Sequence, residues 1–236
     1  MNAGGCANRS LAALIAFTIA ASAAAESTPV AVGGARIAAH IASLRELRDA
    51  GVVRQQRDYS CGAAALATLL TFGVGDTVDE EALLRALLET LSAEQLSALH
   101  TDGLSLRDLQ QLAQARGHRA QGFRLAADQL PRLSRPVIVF IRPGGYRHFA
   151  VLKGVRGDRV HLADPSLGNV RMPLYRFLEQ WVDNSGRGVI FALEPRSGAW
   201  PERYALEIAE GTPPELRSAR ELIDRVRLVS PTDFNR

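Results

Sequence analysis

The side chain in this sequence best suited to covalent chemistry is Cys61, which sits in the run Gln55-Gln56-Arg57-Asp58-Tyr59-Ser60-Cys61-Gly62-Ala63-Ala64, where a polar stretch meets strong helix formers. A thiol on the first turn of a helix lies among unpaired backbone N–H groups and at the positive end of the helix dipole, so a nucleophilic thiolate is favoured there. Gly62 removes a side chain next to it and is expected to let a substrate backbone approach closely. The plain alternative is a cysteine that acts only as a small apolar residue at a helix start.

A catalytic thiol needs a base. His40, His100 and His118 lie on or beside amphipathic helical segments and read as solvated histidines, whereas His148 opens a β-rich stretch, HFAVLKGV, just after the loop PGGYR. If Val155-Arg156-Gly157 forms a three-residue hairpin loop, Gly154 pairs with Asp158 and His148 lies directly opposite Asp164. Directly opposed side chains share one face of the sheet, close enough for a carboxylate to orient the imidazole and stabilise its charged form. In the same register His161 faces away. Asp164 also reads as a turn residue, because Asp164-Pro165-Ser166 and Gly168 are rich in turn formers, and the two roles are compatible. Gln55 and Gln56 both precede the cysteine closely enough to supply an oxyanion donor, and spacing does not choose between them.

These residues need elements to position them. Gly62–Leu70 is almost uniformly apolar and predicts a central helix buried on most sides. Thr77 with Glu80, and Ser92 with Gln95, have capping-box spacing ahead of amphipathic runs, and a third run opens at Ser105 and stops at Gly117. Before the cysteine, Ile37, Ile41, Leu44 and Leu47 recur at helical spacing, and Val52–Gln56 reads as a short extended stretch. After Arg119 strands dominate: 121–125, 136–141, 148–155, 159–163 and 188–193, with a short helix at 126–133 and an amphipathic run at 174–182. The order predicts an α+β domain, helices first and an antiparallel sheet after.

Residues 1–25 read as a signal peptide: Arg9 is the only charge, Leu11–Ala21 is apolar, and Ala23-Ala24-Ala25 precedes Glu26. The apolar run falls short of the roughly 20 residues that span a bilayer, so an exported, periplasmic or secreted protein is expected. Cys6 would leave with the signal. Cys61 then stands alone in an oxidising compartment, where an unpaired thiol calls for a reason. Residues 26–36 read as a flexible lead-in whose Gly33-Gly34 is a candidate self-processing site, 37–194 as the catalytic domain, and 195–236 as a C-terminal appendage with a helical segment at 215–228.

The 236 residues carry 28 Lys+Arg against 25 Asp+Glu, a net charge of +3. That balance is too even for a nucleic-acid-binding surface. Histidine and cysteine never cluster with ligand spacing, so no metal or other cofactor is expected.

Three separated motifs, Gln55 to Ala64, Tyr146-Arg147-His148-Phe149-Ala150-Val151-Leu152 and Ala163-Asp164-Pro165-Ser166-Leu167-Gly168, together resemble the bacteriocin-processing, double-glycine-leader cysteine peptidases over about Val52 to Leu193. The resemblance implies a papain-like fold with Cys61 as nucleophile, His148 as base, Asp164 as its orienter and Gln55, six residues before the cysteine, as oxyanion donor. The best-known members are cytoplasmic-side domains of ABC exporters. This sequence looks closer to the stand-alone periplasmic relatives found with bacterial functional-amyloid secretion systems. That implies an endopeptidase acting on an amyloid-forming or leader-containing secreted polypeptide, in association with an export apparatus. The competing reading is a non-catalytic papain-like module that holds a secretion substrate.

Overall fold

A computed structural model describes residues 28–32, 35–39 and 43–208. The expected signal peptide, Gly33-Gly34, His40 and the helical segment at 215–228 lie outside them. The chain divides into two units, residues 1–42 and 43–236. In the first, β1 (Thr28–Val32) and β2 (Ala35–Ala39) pair antiparallel, with Thr28 opposite Ala39. Strands therefore replace most of the flexible lead-in and the helical start expected at Ile37. The missed signal is the β-branched Val30, Val32 and Ile37 on either side of a Gly-Gly pair.

The second unit opens with α1 (Leu44–Asp49), capped reciprocally by Ser43 and Glu46. Leu44 and Leu47 remain exposed, so their helical spacing does not mark a buried face. The central helix α2 (Cys61–Thr68) is buried along its whole length and runs on into a π-helical turn, Leu69–Val74, that ends at the left-handed Gly75. Three amphipathic helices follow: α3 (Glu80–Leu88), α4 (Ala93–Asp102) and α5 (Leu106–Ala115). Ser92–Gln95 forms the expected capping box, and Ser105 forms another with Asp108. For α3 the cap is Asp79 rather than Thr77: its carboxylate accepts the Ala82 N–H at 2.7 Å.

The remaining elements build one antiparallel sheet. Its strands are β3 (Arg119–Ala126), β4 (Val137–Ile141), β5 (His148–Arg156), β6 (Arg159–Asp164), β7 (Gly168–Pro173) and β8 (Arg187–Glu194), in spatial order β3-β8-β4-β5-β6-β7. A 3-10 turn, Ala127–Arg132, takes the place of the short helix expected there, and α6 (Leu174–Trp181) packs between β7 and β8 in sequence. Alternation along β5 divides the core in two. Phe149 and Val151 pack with α2, while Ala150 and Leu152 pack with Phe177 and Trp181 of α6. A Cβ on Gly188 would lie 2.1 Å from the Trp181 ring, so only glycine lets α6 seat there.

The segment from Pro195 is no appendage over its first part. Leu206 is fully buried in the α2 core, Trp200 packs against Gly73, and the Ala205 N–H donates to the Phe72 carbonyl at 3.0 Å. Among the described residues no helix is long and apolar enough to cross a membrane.

Candidate active site

Cys61 is the first residue of α2 and is 6% exposed. The turn before it is closed by Ser60, whose hydroxyl donates to the Arg57 carbonyl at 2.7 Å and accepts the Arg57 N–H. Gly62 faces inward: a Cβ there would meet Leu104, Phe149 and Leu109 at 3.1–3.3 Å. Its role is close packing of helix start against sheet, and the expectation of a substrate passage beside it is corrected.

The stretch Val52–Gln56 is not a strand, and its N–H groups go to separate parts of the fold, that of Val52 to the Asp49 carbonyl of α1 at 3.2 Å. Val53 donates to the Thr68 hydroxyl of α2 at 2.9 Å, Gln55 to the Pro165 carbonyl at 3.0 Å, and Gln56 to both carboxylate oxygens of Glu80 at 3.0 and 3.2 Å. A backbone that lacks a ladder must find such partners individually. The result fixes Gln55 beside the Asp164 turn.

His148 and Asp164 meet, though by a route other than the one expected. The hairpin turn is the two-residue Gly157-Asp158, with Gly157 at φ 58°, so Arg156 pairs with Arg159 and Gly154 with His161. Continued unchanged, that register would set Asp164 opposite Val151 and on the wrong face from His148. A bulge at Lys153 shifts it by one residue: Leu152 pairs with Leu162 and Val151 with Ala163. Asp164 thereby falls level with Ala150, two residues from His148 and on the same face. The bulge requires Gly154, whose φ of 152° is one that L side chains rarely adopt. His148 opens β5, Asp164 closes β6, and their side chains meet at 3.0 Å, Nε2 to Oδ2.

A carboxylate only accepts, so Nε2 carries the proton it shares with Asp164, which leaves Nδ1 as the remaining nitrogen of the ring. Burial disfavours the charged imidazole, but hydrogen bonds and charge from Asp164 and Cys61 outweigh it and raise the His148 pKa from 6.5 to about 9. Burial likewise opposes ionisation of Asp164, yet His148 and the N–H groups of Ser166 and Leu167 hold it below its ordinary 3.8. Those N–H groups donate to Oδ1 at 2.8 and 3.0 Å, so Asp164 is both turn residue and partner of the histidine. The turn is braced from α1: Arg54 bridges Asp49 and the Ser166 carbonyl, and Asn169 donates to the Ala50 carbonyl at 2.8 Å.

The geometry separates the two glutamines. The Gln55 carboxamide lies in the cluster, its Oε1 accepting the Ser166 hydroxyl at 2.7 Å and its Nε2 donating to the Arg57 carbonyl at 3.0 Å, with one amide N–H left over. The Gln56 side chain is exposed. Among the other histidines, His100 is exposed against Tyr59. His161 falls an odd number of residues from Asp164 along β6 and faces away from the pair. His118 corrects its expectation: it is 3% exposed, with Nε2 on Asp76 at 3.0 Å and Nδ1 accepting the Arg196 N–H at 3.1 Å. Ser166 and Glu80 were not singled out in the sequence as site residues. Ser166 lies inside the Asp164 motif, whereas the spacing of Glu80 from Thr77 points to a helix cap and not to the site.

The peptidase C39 family model matches residues 49–190, a span that holds Gln55, Cys61, His148, Asp164 and Ser166. "Probable functional amyloid protease FapD" of Pseudomonas aeruginosa is 35% identical over 224 residues, covering 95% of this chain and 93% of the relative. Its namesake from Pseudomonas fluorescens is 38% identical over 161 residues, 68% of each chain. Among solved structures, the peptidase domain of Streptococcus ComA, a bi-functional ABC transporter involved in a quorum-sensing pathway, is 22% identical with a TM-score of 0.48, over 60% of this chain and 96% of that one. On the strength of the family match and the FapD relatives, the chain belongs to the peptidase C39 family and is a cysteine peptidase of α+β, papain-like fold.

Proposed function

We propose that the chain is an exported cysteine endopeptidase in which Cys61, His148 and Asp164 form the catalytic triad and Gln55 donates to the oxyanion. The observation that carries this reading is the 3.0 Å hydrogen bond between Asp164 and His148, with Cys61 at the start of a buried helix and close enough to help raise the His148 pKa. The Cys61 thiolate attacks a peptide carbonyl, and the free Gln55 amide N–H together with the Cys61 backbone N–H holds the developing oxyanion. The His148 imidazolium then protonates the leaving amine, giving an acyl-enzyme that water hydrolyses. Asp164 keeps the ring oriented and offsets its charge throughout.

The substrate class is a secreted polypeptide that forms amyloid, handled in the periplasm after removal of residues 1–25 and in association with the export apparatus. Support comes from the two FapD relatives, whose name assigns them to functional amyloid, and from the signal-like composition of the first 25 residues. The test is incubation of mature protein with its co-expressed amyloid-forming polypeptide and mass spectrometry of the products. A discrete cleavage lost in Cys61→Ala is expected. Cleavage that persists in Cys61→Ala contradicts the reading.

A further inference from the structure

Glu80 is a carboxylate only 2% exposed, on the first turn of α3, and the triad chemistry does not use it. Among the described residues its two oxygens share one donor, the main-chain N–H of Gln56, at 3.0 and 3.2 Å. Burying a carboxylate is unfavourable unless strong hydrogen bonds compensate, and a charge-assisted bond to a backbone N–H is among the stronger ones available. That bond lands on the residue next to Gln55, in a stretch that has no strand ladder to hold it. The Gln55 N–H is tied to Pro165 and its carboxamide to Ser166, both on the Asp164 turn. Without Glu80, the hydrogen bonds that hold Gln55 and Gln56 among the described residues, except the local one to Arg57, would all run to that single turn. α3 supplies the second fixed point.

We propose that Glu80 is a positioning residue for the oxyanion donor: by gripping the Gln56 N–H it fixes the backbone that aims the free amide N–H of Gln55. The inference rests on the oxyanion role of Gln55. A displacement of about 1 Å in such a group lowers rate up to about a hundredfold, whereas a buried carboxylate with a purely packing role would affect folding and not this one step.

Two reagents isolate the effect. p-Nitrophenyl acetate acylates Cys61 through a tetrahedral oxyanion: the S–C bond forms, the C–O bond to nitrophenolate breaks, and the acetyl thioester is later hydrolysed. Iodoacetamide alkylates the same sulfur by direct displacement of iodide, with no oxyanion. The ratio of the two rate constants is measured for full-length mature wild type, Gln55→Ala, Glu80→Ala, Glu80→Gln and the Gln55→Ala/Glu80→Ala double variant. Glu80→Ala is expected to lower the ratio about tenfold, less than Gln55→Ala, within the loss of about a hundredfold or more that removal of an oxyanion donor brings. Glu80→Gln keeps a carboxamide oxygen to accept the N–H and is expected to restore most of it. The double variant should be no worse than Gln55→Ala. If Gln55→Ala lowers the ratio while Glu80→Ala leaves it at the wild-type value, the role of Glu80 is refuted and that of Gln55 stands. If Gln55→Ala leaves it unchanged, the oxyanion reading itself fails and the proposal with it. Because unfolding would expose the buried Cys61 to iodoacetamide, a partly unfolded variant is detected by loss of its native circular dichroism and is not scored.

Discussion

At the residue scale, the site is a matter of which charges the fold keeps. His148 sits in a place that burial makes hostile to its cation, and the Asp164 carboxylate and Cys61 thiol reverse that preference. The pH dependence follows with a definite sign. A histidine whose folded pKa is raised from 6.5 to about 9 contributes stability that is fully present below pH 6.5 and is lost as pH rises through 9. Asp164, lowered from 3.8, contributes above that value and loses its share as pH falls through its folded pKa. The thermal midpoint of wild type should therefore fall between pH 6.5 and 9.5 by more than that of His148→Gln, which lacks the titrating group; parallel curves would contradict the assignment. Of these residues, Cys61, His148 and Asp164 were legible because each stands at a chemically marked place: a helix start, a strand after a loop, a turn. Gln55 was separable from Gln56 by motif resemblance and not by spacing, since both precede the helix and only their tertiary partners differ. His118 was misread because its neighbouring helix is amphipathic. Its actual environment is made by Asp76 and Arg196, 42 and 78 residues away.

At the scale of elements, some local signals form as expected, while the Thr77 cap, the helical start at Ile37 and the extended stretch Val52–Gln56 do not. The capping box at Ser92, the amphipathic run that opens at Ser105, the apolar run of α2 and the β-rich runs of β4, β5 and β8 are written in adjacent residues, and each forms near its expected bounds. β7, Gly-Asn-Val-Arg-Met-Pro, has little strand character of its own and exists through pairing with β6 from Arg159↔Pro173 to Asp164↔Gly168. The hairpin register was illegible for a related reason: a one-residue bulge restores the parity that a two-residue turn removes, and sequence alone does not announce it. Gly154 is the point where this can be tested. Gly154→Ala forces an unfavourable φ and sets a Cβ 3.2 Å from Ile208. It is expected to lower unfolding free energy by about 1–3 kcal/mol in urea titration and to reduce turnover further than Gly157→Ala, which lies beyond the bulge. Equal effects on turnover would mean that the bulge does not set the His148 and Asp164 geometry.

At the scale of the whole molecule, the candidate site draws on both halves of the fold. Cys61 and Gln55 come from the helical half, and His148, Asp164 and Ser166 from the hairpin region of the sheet. The α2 core joins them, with Leu66, Phe149, Val151 and Leu206 in one cluster. The α+β order was readable because helical and strand periodicities occupy separate stretches, but the inclusion of residues 195–208 was not. One buried leucine and one tryptophan in a polar, proline-containing segment give no periodic signal. The proposed function sets a nucleophilic Cys61 sulfur against the His148 ring, and its most direct test is the iodoacetamide labelling rate of Cys61 against pH in mature wild type and His148→Ala. The account predicts rapid labelling at neutral pH, with that reactivity lost in His148→Ala. Slow labelling at neutral pH that is indifferent to His148 would contradict it.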